Sequence, residues 1–495
     1  MGMVHQNHQK TLKVLFLAAE AAPLVKVGGL GDVSGALPVA LRGLTSPDWE
    51  GPPVDIRLVL PFHDEINRKI KDPRFVASFM VDHPGEPLAA KAFETKIDQL
   101  PVYLIEGPPI LPDEPVYSTD PLLDGEKYTF FSLAAIKLIE KLNWIPDIVH
   151  ANDWHTATSL YVLKRMLKDT KPYKHTRSVL TVHNLPFMGK DAEEALIRYG
   201  IPRSRDKRLP QWATLFPLPL GLLSADRIVA VSPGYAQEIL TPEFGCGLQD
   251  FLNTRQEALC GILNGLDEES WDPANDKAVP VNFDSETIDA RWQNKLSLLN
   301  DLGLKPDPQT PLFIIISRMD QQKGIDIAIA GLRECADLDW QLVILGTGDP
   351  LLESACRSLE AEFPDRVRAI IRFDGNLARR MYAAGDVLLM PSRYEPCGLT
   401  QMIAMRYGCL PLARATGGLK DTITDADQAE AATGFLFTET TPQSFAQTIK
   451  RSLAVFLQKS RWRALQINGM RQKFGWNQSA AAYARIYQTL TEQTP

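Results

Sequence analysis

Two cations, Arg318 and Lys323, stand in the stretch Ser317-Arg-Met-Asp-Gln-Gln-Lys-Gly324, directly after the apolar run Leu312–Ser317. Across a strand-to-helix turn both can face one anion. An arginine fork beside a lysine point charge suits a diphosphate, and the pair would stabilise charge on a leaving phosphate. An ordinary solvated loop is the alternative. A second cluster, Pro391-Ser-Arg-Tyr-Glu-Pro-Cys-Gly-Leu-Thr-Gln401, also follows an apolar run and leads into a helix. Glu395 could hydrogen-bond a sugar or a ribose there. Cys397 could be a nucleophile near a helix N-terminus, but no histidine lies near it in sequence, and a packed, inert thiol fits better.

The first half carries its own set. Lys26-Val-Gly-Gly-Leu-Gly-Asp32 continues to Gly35, so that Gly29, Gly31 and Gly35 form a loose relative of the dinucleotide fingerprint. A true fingerprint opens its helix directly after the first strand, so that pyrophosphate rests on the helix N-terminus. Here the detour Glu20–Lys26 intervenes, which counts against a nicotinamide-dependent oxidoreductase; close packing of the glycines is the other reading. No Gly-Lys-Ser/Thr follows, so a P-loop is excluded. Polar groups also end two other runs: His150-Ala-Asn-Asp153-Trp-His155 and Thr181-Val-His183-Asn184. They lack the spacing of a metal site, and Asp153, His183 and Asn184 read as hydrogen-bonding groups for a polyhydroxyl ligand. In the second half, Ala415-Thr416-Gly417-Gly418 offers backbone amides to phosphate at a helix start.

These groups need a frame, and the frame is legible as short apolar runs alternating with helical patterns. In the first half the runs are Lys13–Ala19, Val54–Leu60, Val102–Glu106, Asp147–Ala151, Ser178–Val182 and Arg227–Val231. In the second they are Leu312–Ser317, Gln341–Leu345, Val367–Ile371, Val387–Pro391 and Cys409–Ala413. Runs without alternation predict strands buried on both faces, and interleaved helices predict parallel sheets, hence an α/β fold wound twice. The expected break lies near Gly261–Gly265, and a last helix is expected within Phe474–Leu490. Ligands of open α/β sheets bind beyond the carboxyl ends of strands, where the clusters fall.

The 495 residues exceed one ordinary core. A formal net charge of −7 argues against general nucleic-acid binding. The six cysteines show no C-x-x-C and read as reduced thiols of a cytoplasmic protein. The run Val14–Ala19 is broken by Glu20 and too short to span a bilayer, so a buried strand is expected there, not a signal peptide. Met1-Gly2 lacks the Ser or Thr at position 6 that myristoylation requires, since Gln6 stands there. Neither a metal nor a cofactor is expected.

Taken together and in this order, the five motifs Lys26–Asp32, His150–His155, Thr181–Asn184, Ser317–Gly324 and Glu395–Gln401 resemble the bacterial glycogen synthase and plant starch synthase family. The resemblance runs from Lys13 to about Tyr487. It implies a GT-B fold, two facing Rossmann-like domains with the active site in the interdomain cleft. The first domain would cover 1–262 (the acceptor side) and the second 263–473 (the donor side), with the helix at about 474–495 packing back onto the first. The implied activity is retaining transfer of glucose from ADP-glucose to the non-reducing 4-hydroxyl of an α-1,4-glucan, releasing ADP.

Carried over position by position, the resemblance places Lys26 at the donor phosphates, Gly29 in close approach to them, and Asp32 as an organiser of that loop. Arg318 and Lys323 would hold the diphosphate, Glu395 the transferring glucose, and Thr416 with Gly417 the distal phosphate; Cys397 falls within the binding motif. His183 matches the active-site histidine, and Asp153 and Asn184 match residues on the sugar or acceptor side. Asn152 departs from the histidine common in bacterial members, and Arg372-Phe-Asp-Gly375 replaces a more usual Gly-Tyr-Asp/His-Glu. The rival with a different chemistry within the same fold is a transferase making a small glucoside; a silent glucan-binding protein would have no reason to keep the cationic pair and Glu395.

Overall fold

The computed structural model describes residues 11–492 apart from 112, 171, 172 and 429; the Met1–Gln6 stretch considered for lipidation and the last three residues lie outside it. The chain forms two compact units, one running up to Gly265 and resuming at Trp476, the other spanning Leu266–Gly475.

Among the described residues the first unit holds nine strands: β1 (Leu12–Leu17), β2 (Val54–Pro61), β3 (Arg74–Val81), β4 (Leu88–Ile97), β5 (Leu100–Glu106), β6 (Ile148–Asn152), β7 (Arg177–Val182), β8 (Arg227–Ala230) and β9 (Leu259–Gly261). Their order is β3-β4-β5-β2-β1-β6-β7-β8-β9. β1 lies mid-sheet, parallel to β2 and β6, with Phe16 opposite Leu58 on one side and His150 on the other. Its sequence, Leu-Lys-Val-Leu-Phe-Leu, is buried almost throughout, as a strand covered on both faces must be. β3 and β4 were not anticipated, and they pair antiparallel with each other and with β5. β3 is largely exposed, so it lacks the continuous apolar run that marks a covered parallel strand. The sheet is therefore mixed, where a purely parallel one was expected.

The helix Trp476–Glu492 belongs to this first unit. Its Ala480, Tyr483, Ala484 and Tyr487 join the core formed with Val14, Phe16 and Leu37. The anchor is polar: the buried His150 ring bridges the Tyr487 hydroxyl (Nδ1, 2.7 Å) and Thr181 Oγ1 (Nε2, 2.7 Å), and Thr181 also meets the Tyr483 hydroxyl at 3.2 Å. Burial lowers the His150 pKa to about 3, so the ring stays neutral. His150 is thus spent on packing. Tyr487→Phe leaves His150 Nδ1 without its partner and is expected to cost about 1–3 kcal/mol of stability in urea unfolding, with the helix still docked.

The second unit is a six-stranded, wholly parallel sheet ordered β12-β11-β10-β13-β14-β15. Its strands are β10 (Leu312–Ile316), β11 (Gln341–Gly346), β12 (Val367–Ile371), β13 (Val387–Met390), β14 (Leu410–Arg414) and β15 (Phe435–Phe437). Asp386 staples the entry to its centre, accepting the Leu312 amide at 2.8 Å and the buried Lys295 ammonium at 2.7 Å. Among the described residues no helix is long and apolar enough to cross a membrane.

Candidate active site

In the second unit the chain leaves β10 at Ser317 and turns back at Lys323. Asp320 makes the turn, accepting the Lys323 amide at 3.1 Å and meeting Arg318 at 3.3 Å. Arg318 remains largely exposed, its side chain 66% open. Lys323 points the other way, and its Nζ donates to both oxygens of Glu395, at 2.9 and 2.7 Å. Ser392 Oγ donates to Glu395 Oε2 at 3.1 Å, so this buried carboxylate has three bonds. A carboxylate that far from water is tolerable only when paired in this way.

The loop after β13 and the turn after β14 interlock. The Gly418 amide donates to the Glu395 carbonyl at 3.1 Å, and a Cβ on Gly417 would run into that same oxygen. Gly417 also has φ +44°, a region that glycine occupies without strain. Thr416 is buried as the residue before the helix Gly417–Thr422. Cys397 is buried too, and its carbonyl accepts Gln401 Nε2 at 3.1 Å. The structure therefore gathers Lys323, Glu395, Thr416 and Gly417 in one place, with Arg318 at the mouth of the same turn. Cys397 enters as a packed residue.

In the first unit the analogous position is the end of β6. Asp153 opens the helix Asp153–Tyr161 with φ +53°, a left-handed conformation that a non-glycine residue adopts only under constraint. Its Oδ1 accepts the amides of His183 (2.7 Å) and Asn184 (3.4 Å) beyond β7. Burial raises the Asp153 pKa to about 7, and the two amides pull against that rise. Asn152 Nδ2 donates to the Leu17 carbonyl at 2.9 Å, which leaves its Oδ1 to face His183 Nε2 at 2.9 Å. Nε2 of His183 therefore carries the hydrogen and Nδ1 the lone pair. Desolvation lowers the His183 pKa to about 3 although part of its surface is open, so the ring is neutral at physiological pH.

The glycine-rich loop has a division of labour that its pattern alone does not reveal. A Cβ on Gly29 would meet nothing within 4 Å, leaving this side of the loop open to a ligand. One on Gly35 would strike the Ala22 carbonyl, and one on Gly31 would come within 2.8 Å of Glu20 Oε2, so these two glycines serve packing. Lys26 Nζ pairs with Asp32 Oδ1 at 2.7 Å, both side chains partly exposed. Asp32 was expected to organise the loop; it grips the Lys26 side chain, while the loop backbone is held by Glu20, which accepts the Val27 and Gly28 amides. Glu20 escaped the sequence reading along with Ser392 and the link from Asn152 to His183. A lone acid directly after a buried strand was the available signal for Glu20.

Residues 13–254 match the starch synthase catalytic domain, and residues 303–462 match glycosyl transferases group 1. The chain is 39% identical over 489 residues to the glycogen synthase of Aromatoleum aromaticum, covering 96% of each. It is 37% identical to that of Streptococcus agalactiae serotype III over 97% of this chain and 100% of the relative. Among solved structures, the catalytic domain of starch synthase IV from Arabidopsis thaliana bound to ADP and acarbose superposes with a TM-score of 0.86 at 30% identity, over 98% of this chain and 100% of that one. Sucrose-phosphate synthase of Thermosynechococcus elongatus shares the fold at a TM-score of 0.59 and 18% identity. With two α/β units of the GT-B type matched over nearly their whole length, this chain belongs to the glycogen synthase and starch synthase family of hexosyltransferases.

Proposed function

We propose that the enzyme transfers glucose from ADP-glucose to the non-reducing end of an α-1,4-glucan with retention of the α configuration. The observation that carries the reading is the Lys323–Glu395 pair, locked by the Gly417–Gly418 turn beside Arg318. A largely buried cation held in place by a carboxylate is preorganised to meet the charge that grows on a departing diphosphate. Lys26 and the open face of Gly29 take the role at the donor phosphates that the family resemblance assigns them. Glu395 receives hydroxyl groups of the transferring glucose, and Thr416 with Gly417 the distal phosphate. ADP bound to the starch synthase relative supports this assignment.

Neither carboxylate is placed as a nucleophile: Glu395 is engaged by Lys323 and Ser392, and Asp153 by two backbone amides. The reading is front-side attack by the glucan 4-hydroxyl, whose proton passes to the leaving diphosphate. Neutral His183, with Asn184 and Asp153, then lines the sugar or acceptor side. The test is incorporation of labelled glucose into glycogen from ADP-glucose and UDP-glucose side by side. ADP-glucose is expected to dominate; transfer only to a small acceptor, or only from UDP-glucose, would overturn the proposal.

A further inference from the structure

Glu20 is 1% exposed, and a carboxylate so deeply placed is costly unless both oxygens are satisfied. Both are. Oε2 accepts the Val27 amide and the Gly28 amide at 3.1 Å, and Oε1 accepts the Tyr117 hydroxyl at 2.8 Å. Tyr117 is itself strapped down by the helix Pro121–Lys141. Both oxygens of Asp124 accept the Ser118 amide at 3.1 Å, Lys127 Nζ donates to the Pro115 carbonyl at 3.0 Å, and the Tyr128 hydroxyl donates to the Val116 carbonyl. Lys127 and Asp124 form a buried ion pair at 2.7 Å. A continuous set of bonds thus runs from the body of the unit, through Tyr117 and Glu20, to the turn immediately after Lys26.

A carboxylate repels a diphosphate, so contact with the donor is the wrong task for Glu20; its bonds go to backbone. The packing agrees. The Ala22 amide donates to the Gly31 carbonyl at 2.9 Å, and Gly31 and Gly35 leave room for the loop to lie flat on its helix. We propose that Glu20 is a positioning residue for the transfer reaction: its carboxylate fixes the Val27–Gly28 turn and so sets the direction in which Lys26 is presented. The role rests on the donor reading above.

The test is a double-mutant cycle with Lys26, run on the full chain with ADP-glucose and glycogen. Glu20→Gln keeps the size but turns an NH₂ group toward donors. It is expected to lower kcat/KM for ADP-glucose by roughly ten- to a hundredfold, the scale on which misplacing a reacting group acts, with KM for glycogen near wild type and a lower melting temperature, since a buried NH₂ then faces amide donors. In the Lys26→Ala background the same change should cost almost nothing further, because the residue it positions is gone. Tyr117→Phe, which removes one hydroxyl, should give a smaller loss in the same direction and faster hydrogen exchange at the Val27 and Gly28 amides. This second variant keeps the test alive if Glu20→Gln does not fold. Wild-type kcat/KM in both variants, or losses that multiply with Lys26→Ala, would overturn the proposal and leave the donor reading standing. Absence of ADP-glucose transfer in the wild-type enzyme would remove the donor reading itself.

Discussion

Alanine at Lys323 is expected to lower the turnover of glucose transfer by roughly a hundred- to a thousandfold, the range found when one preorganised electrostatic contact to a developing charge is removed. Two consequences of the change must be separated. The cation is lost, and Glu395 is left buried without the ammonium that both its oxygens accept. The second effect is one of stability, since an orphaned buried charge destabilises more than the intact pair stabilises. Adding Glu395→Gln to Lys323→Ala should therefore recover much of the lost melting temperature and none of the turnover. Calorimetry and initial rates at saturating donor check the two halves independently. Turnover in Lys323→Ala within about a factor of three of wild type would contradict the assignment.

Asp153→Asn is expected to act in opposite directions on stability and activity. The Asn Oδ1 can accept the same two amides from His183 and Asn184, so the turn should keep its shape. What disappears is a charge that burial disfavours. The Asp153 pKa is raised from 3.8 to about 7, so the native state prefers the protonated form. Its stability contribution is therefore fullest below pH 3.8 and is lost as pH rises through about 7. Each decade of proton concentration across that window is worth at most about 1.4 kcal/mol. The melting temperature of Asp153→Asn should thus match wild type near pH 4 and exceed it increasingly toward pH 8. Turnover should drop by roughly a hundredfold at pH 8 if the Asp153 charge serves the sugar it lines. A variant that gains no stability between these pH values would show that the carboxylate is not held at a cost.

How much of this was written locally in the chain differs by element. β10 announces itself because Leu-Phe-Ile-Ile-Ile must be covered on both faces. The hairpin of β3 and β4 hides because an edge strand open to water carries no such run. The site divides in the same way. Arg318, Lys323 and Glu395 could be picked out by type and by their place after strands, yet the bond between Lys323 and Glu395 spans 72 residues and no local pattern encodes it. Tyr117 lies 97 residues from Glu20, and their hydrogen bond exists only once β1 and the segment before the helix Pro121–Lys141 have met. His150 shares a motif with Asp153, and only the docking of Tyr487, 337 residues away, shows its ring committed to packing.

That docking has a consequence for how the chain comes into being. During synthesis the residues of the first unit emerge before those of the second, and domains ordinarily fold in that order. Here Tyr483 and Tyr487 are missing from the core around Val14 and Phe16 until translation reaches the final helix. A nascent chain that has passed Gly265 carries nine strands with an uncovered apolar seam and a histidine still waiting for its hydroxyl. The first unit to leave the ribosome is therefore the last to be finished.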